Sequence, residues 1–263
     1  MGNFIFCIDS DGAVMDTMTY KHEDFFGPLA AEVFEVKDPK VFQENWEQIN
    51  LYTKTRGVNR FVGLVKALDS VGYNNIDDLK EWVDSTESLS NDSLKEKLKV
   101  NNSENLRKAL KWSELINSSL RDNKHDDEYF EGADHALKLL KEKGTVYVVS
   151  SANESAVKDE WTRHNLIQYV DDLYCQNRGK KEDVIAEFIR NGQPSNRILM
   201  VGDSPGDLTA ATSNGALFYP ILVGQEKESW NHLVDSELAN ILDGTYLKDN
   251  QKKLIDKFWS NLE

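Results

Sequence analysis

The chain has 263 residues, enough for one large core or for a core with a smaller accessory domain. Its 45 Asp and Glu outnumber 31 Lys and Arg, and the net charge of −14 disfavours attraction to nucleic acid or to an anionic lipid surface, so a small anionic substrate would need local cations. No apolar run approaches the ~18 residues of a membrane span and no secretory pattern opens the chain, so a cytoplasmic protein with neither a membrane nor a nucleic-acid partner is expected.

The first element is Phe4-Ile5-Phe6-Cys7-Ile8, an unbroken apolar run of the kind a parallel strand covered on both faces shows. It ends on Asp9-Ser10-Asp11-Gly12. Side chains alternate along a strand, so Asp9 and Asp11 leave the sheet on one side. Two neighbouring carboxylates repel when both are ionised, and a bound cation or a proton kept on one of them resolves the conflict. Gly12 lets the backbone turn sharply, which can present one aspartate as a nucleophile and the other as an acid and base. Cys7 and Cys175 both lie in strand-like runs and read as small buried hydrophobes.

From about residue 18 to 127 the pattern is helical, with Phe25, Phe26, Leu29, Ala30, Val33 and Phe34, and later Val58, Phe61, Val62, Val65 and Leu68, at helical spacing. The polar stretch from Asp84 to Asn102 offers only Leu94 and Leu98 as an apolar face and predicts a helix joint or a mobile surface. This segment is expected to be an inserted helical domain.

From about residue 128 strands and helices alternate. A helix with Ala133, Ala136, Leu137 and Leu140 stops at Gly144, and Val146-Tyr147-Val148-Val149 follows as a strand ending in Ser150-Ser151. Val157 and Trp161 mark a helix, Leu173-Tyr174-Cys175 a short strand, and Val184, Ile185, Phe188 and Ile189 another helix. Ile198-Leu199-Met200-Val201 is a strand running into Gly202-Asp203-Ser204-Pro205-Gly206-Asp207; Leu217-Phe218-Tyr219 is the last strand, and two helices close the chain. The pattern predicts an α/β fold with a doubly wound, parallel, Rossmann-like sheet, ligands gathering at the carboxyl ends of its strands. The expected division is a core over 1–17 and 128–263 with an all-helical cap over 18–127. One pocket would then hold the carboxylates, the Ser150 hydroxyl and an ammonium from Lys180 or Lys181, a set suited to phosphoryl transfer.

These four pieces, in this order, resemble the motifs of the haloacid dehalogenase superfamily of phosphatases, over residues 1–17 and about 128–263. The insertion stands where that family carries its helical cap of the first type, as in phosphoglycolate phosphatase-like and β-phosphoglucomutase-like members. The resemblance implies Asp9 as a nucleophile forming an aspartyl phosphate and Asp11 as general acid and base. It implies Mg2+ held by Asp9, by the backbone carbonyl of Asp11, by Asp203 and by Asp207, the last directly or through water. Ser150 would donate to a phosphoryl oxygen with the backbone amides of Ser151 and Ala152, and Lys180, favoured because it directly follows Gly179, would neutralise charge. Asp11 separates the chain from dehalogenases and phosphonate-cleaving members, leaving phosphatase or phosphomutase. Thr55-Arg56-Gly57-Val58-Asn59-Arg60 resembles the substrate loop of β-phosphoglucomutase, so Arg56 and Arg60 are candidate ligands for a substrate anion. The mutase pattern is broken at Lys21, where that enzyme has a histidine; His22 comes one residue later. The expected function is a Mg2+-dependent phosphatase of a small phosphorylated metabolite. A sugar phosphomutase is the nearest alternative, and a catalytically silent phosphate-binding or scaffolding protein is the alternative of another class.

Overall fold

The computed structural model describes residues 3–86, 88–122, 127–247 and 249–262. The chain separates into two compact units, Met1–Thr17 with Asp127–Glu263, and Met18–Asp126.

The first unit is built on a five-stranded sheet in the order β3-β2-β1-β4-β5, from β1 (Phe4–Ile8), β2 (Gly144–Val149), β3 (Asp172–Tyr174), β4 (Ile198–Gly202) and β5 (Leu217–Pro220). Every pairing is parallel, with Phe6 opposite Val146 on one side and Leu199 on the other. Side-chain alternation sorts the strands onto two apolar faces. Phe6, Ile8, Val146, Val148, Leu199 and Val201 pack with the helices Ala133–Lys143, Glu154–Arg163 and Glu226–His232. Cys7, Val149, Ile198, Met200 and Phe218 pack with the helices Lys181–Arg190, Pro205–Ser213 and Asn250–Asn261. The chain runs outward from β1 to β3, then returns to build β4 and β5 on the other side. That reversal opens a crevice at the carboxyl ends of β1 and β4, where open α/β sheets bind ligands. Cys7 and Cys175 are free and buried.

The second unit is helical, with Pro39–Glu47, Arg60–Ser70, Asp77–Ser85 and Glu104–Asp122 among its longer helices. Its core is aromatic: Phe61 meets Trp82 edge-on at 5.0 Å and Trp112 at 6.0 Å, and Trp46 meets Trp112 at 5.9 Å. The joint expected over Asp84–Asn102 is corrected, because Asn91–Val100 is a helix. Ser90 caps it by accepting the Ser93 amide, Lys97 and Lys99 sit in its last turn, and Leu94 is fully buried. His22 is packed within this unit, its Nδ1 accepting the Trp46 indole N–H at 3.0 Å. No helix among the described residues is long and apolar enough to cross a membrane.

Candidate active site

The site grows out of the end of β1. Asp9 donates its backbone N–H to the Val201 carbonyl at 2.9 Å, carrying the β1–β4 ladder one residue past the strand. The chain then tightens at once. The Ser10 amide donates to Asp9 Oδ1 at 2.8 Å, and the Ser10 carbonyl accepts the amides of Ala13, Val14 and Met15 at 3.3, 3.0 and 2.9 Å. Gly12 sits at φ +80°, the left-handed region that an L side chain resists, and its amide reaches the Met15 carbonyl at 2.9 Å. Asp11 is half-buried, with Oδ1 accepting the Thr17 hydroxyl.

The second arm is the turn from β4 into the helix Pro205–Ser213. Ser204 and Asp207 cap that helix reciprocally: Asp207 Oδ2 accepts the Ser204 amide at 3.0 Å and its hydroxyl at 2.8 Å, and the Asp207 amide donates back to Ser204 Oγ at 3.3 Å. This leaves Oδ1 of Asp207 turned to the crevice. Gly202 is required by close approach, since a Cβ there would stand 2.3 Å from Asp207 Cγ and Oδ2. Carboxylate oxygens of Asp9, Asp203 and Asp207 come within 4.8 Å of one another, all three residues buried.

The cation facing this cluster is Lys181. Its Nζ lies 2.8 Å from Asp9 Oδ2 and 2.6 Å from Asp207 Oδ1. The expectation for Lys180 is corrected: it is the extended residue just before the helix Lys181–Arg190, and its side chain is exposed. Burial and the Asp207 charge hold the Asp9 carboxyl well above the usual carboxylate range, with Lys181 pulling it back and Asp203 pushing it up. Burial works against the Lys181 ammonium, but Asp207 and Asp9 outweigh it and keep the lysine charged. Three carboxyl groups thus crowd around one ammonium. An all-oxygen, carboxylate-rich donor set of this kind fits a small hard divalent cation.

Ser150 directly follows β2, the strand beside β1, and is buried. Its Oγ accepts the Ala152 amide at 3.1 Å, so the amide expected to face a phosphate is engaged by the serine itself, and Ser151 is exposed. The arginines of the helical unit are also committed locally. Arg56 is buried with Nη1 donating to the Leu51 carbonyl at 2.7 Å. Arg60 donates to Asn117 Oδ1 at 2.9 Å and Ser113 Oγ at 3.3 Å, lies 5.2 Å over the Phe26 ring, and is lowered by burial to about 10. Sequence reasoning missed Ser10, Thr17, Trp161 and Trp230, which all bond to the loop 9–13. For Ser10 a signal existed, since strand alternation sends it to the face opposite Asp9, where Trp161 lies.

Comparison with known proteins places the chain. No curated protein matches it. Among solved structures it is similar to a haloacid dehalogenase-like hydrolase from Streptococcus pneumoniae, at 13% identity over 97% of this chain and 98% of that one, with a TM-score of 0.57. It is similar to a protein assigned as a phosphoglycolate phosphatase from Lactobacillus delbrueckii subsp. bulgaricus, at 17% identity, 83% and 85% coverage and a TM-score of 0.54. A protein assigned as a β-phosphoglucomutase from Thermotoga maritima aligns at 15% identity, 90% and 100% coverage and a TM-score of 0.50. These likenesses concern the fold. The family model of the haloacid dehalogenase-like hydrolases matches residues 74–219, more than half of the chain, and the protein belongs to that family.

Proposed function

We propose that this hydrolase is a Mg2+-dependent phosphatase of a small phosphorylated metabolite, working through an aspartyl phosphate on Asp9. The observation that carries the reading is the buried cluster of Asp9, Asp203 and Asp207 with Lys181 at the carboxyl ends of β1 and β4. The similarity to a protein assigned as a phosphoglycolate phosphatase supports the substrate class. Asp9, Asp203 and Asp207, with the Asp11 carbonyl, would hold Mg2+. When bound, the ion supplies positive charge that neutralises the carboxylates and the phosphoryl oxygens.

The chain's own residues do the rest. Asp9 attacks phosphorus in line, and the P–O bond to the leaving group breaks as the acyl phosphate forms, splitting one hard displacement into two. Asp11 gives its proton to the departing oxygen and later takes one from the water that hydrolyses the acyl phosphate. The Thr17 hydroxyl donates to Asp11 Oδ1, which directs the transferable proton to Oδ2. Lys181 and the Ser150 hydroxyl donate to phosphoryl oxygens; Ser150 can do so while still accepting the Ala152 amide, because a hydroxyl both donates and accepts. We read the inserted helical unit as the family's cap. The mutase alternative has a fold similarity to a protein assigned as a β-phosphoglucomutase behind it, but in its segment Thr55 to Arg60 the Arg56 side chain donates to the Leu51 carbonyl and Arg60 to Asn117, and Lys21 stands where the mutase pattern has a histidine.

Phosphate release from p-nitrophenyl phosphate and from a panel of phosphorylated metabolites, with Mg2+ present, tests the reading. Turnover is expected in the wild type and not in Asp9→Asn, an isostere that is a far poorer nucleophile. Activity retained by Asp9→Asn would sink the mechanism.

A further inference from the structure

Past the end of β1 the alternation of side chains continues. Ile8 faces the apolar layer that contains Trp161, Asp9 faces Lys181, and Ser10 faces Trp161 again. There the Trp161 indole N–H, from the last turn of the helix Glu154–Arg163, donates to Ser10 Oγ at 2.9 Å, and both side chains are fully buried. Ser10 passes the constraint on. Its amide holds Asp9 Oδ1, and its carbonyl gathers three amides of the turn that follows. A second indole supports the same turn, since Trp230 Nε1 donates to the Ala13 carbonyl at 2.9 Å. The loop carrying both aspartates is thus held by two tryptophans on one side of the sheet and by Lys181 on the other.

We propose that Trp161 is a positioning residue for phosphoryl transfer, acting through Ser10 to fix the amide that orients the Asp9 carboxylate. The proposal rests on the phosphatase reading above. Its chemistry is a matched pair 151 positions apart in sequence. A buried indole is a donor with no acceptor of its own, and an apolar side chain at position 10 would strand it. Serine supplies the acceptor on a side chain too short to move far from the backbone. With Ser10 pinned, Asp9 Oδ1 is held by the Ser10 amide while Oδ2 stays with Lys181, so both carboxylate oxygens have fixed directions before substrate arrives. In-line attack is sensitive to such placement, a misplacement of ~1 Å costing about 100-fold in rate.

Two variants cut the contact from opposite ends. Trp161→Phe keeps an aromatic ring in the core and removes the N–H; Ser10→Ala removes the acceptor and keeps the indole. Steady-state kinetics on p-nitrophenyl phosphate with Mg2+ should show kcat reduced by about 10- to 100-fold in each, with KM changed by less than about threefold. The double variant should be no slower than the slower single one, because both remove the same bond. Thermal unfolding and the folded fraction are measured alongside. Should Trp161→Phe fail to fold, Ser10→Ala carries the test alone. A kcat per folded molecule that stays at the wild-type value in both singles, or losses that multiply in the double variant, would overturn the positioning role. A wild type that hydrolyses no phosphate ester would instead bring down the phosphatase reading and the proposal with it.

Discussion

Lys181→Met removes the ammonium that faces Asp9 and Asp207 while keeping most of the side chain's apolar length. The two contacts, 2.8 and 2.6 Å, are made by a lysine side chain only 11% exposed. Removing one partner of a buried ion pair costs ~3–5 kcal/mol, because the carboxylates remain behind without it. Part of that cost is relieved if Asp9 takes up a proton. Burial and Asp207 already hold its carboxyl high, and Lys181 is the group that lowers it. A protonated Asp9 is no nucleophile, so the structural relief is a catalytic loss. We expect Lys181→Met to unfold at lower urea, by up to ~3 kcal/mol in the metal-free protein once protonation is counted, and to turn over at least ~100-fold more slowly at neutral pH. Lys180→Ala alters an exposed side chain and should stay within ~0.5 kcal/mol of the wild type, with turnover within about twofold. Urea unfolding followed by tryptophan fluorescence and phosphate release from p-nitrophenyl phosphate, run on both variants together, decide the matter. Activity lost in Lys180→Ala and kept in Lys181→Met would refute the reasoning.

The carboxylate cluster should bind Mg2+ in the folded state alone, so Mg2+ at ~100 times its Kd should stabilise the protein by ~2.7 kcal/mol in urea, and Asp203→Asn should abolish the gain. EDTA should stop turnover and Mg2+ restore it, with Ca2+ a poor substitute because of its larger and looser shell; full activity in excess EDTA counts against the metal. Gly202→Ala places a methyl 2.3 Å from the Asp207 carboxylate, so Asp207 must move away from Ser204 and Lys181. Overpacking of this kind costs ~1–3 kcal/mol, and unfolding at an unchanged urea midpoint would show that the turn adapts. Burial pushes the Cys175 thiol from 9.0 up to about 12, with Glu154, Asp9 and Asp11 adding to it. Between those values the unfolded chain has released the proton and the folded one has not, so stability should fall as pH rises through that window, and Cys175→Ala should flatten the slope of urea midpoint against pH.

Much of the core was legible because its strands are apolar runs closed by chemically loaded turns. Parallel strands buried on both faces must be written this way, and β1, β2 and β4 are. The helix Asn91–Val100 was not legible, since its apolar content is small and its stability comes from a Ser90 cap and one buried leucine whose partner lies elsewhere in the chain. The arginines failed for a related reason. A sequence shows that Arg56 and Arg60 are cations near a turn, but Arg56 donates to the Leu51 carbonyl five residues back, and the bonds of Arg60 to Ser113 and Asn117 exist only once the helices have packed.

The choice between the two lysines turned on a single residue of helix phase, and the sequence held the answer in a form other than adjacency to Gly179. Each helical residue turns by about 100°, so Lys181, Val184, Ile185 and Phe188 form an i, i+3, i+4, i+7 stripe. Val184, Ile185 and Phe188 are the buried face of that helix, packed beside Met200 and Cys7 of the sheet. A lysine at the head of the same stripe must point along the sheet toward the strand ends, where Asp9 and Asp207 stand. Lys180 precedes the first turn with extended backbone, so the helix phase does not direct its side chain. A cation beginning an otherwise apolar stripe is costly unless carboxylates wait for it, and here two do.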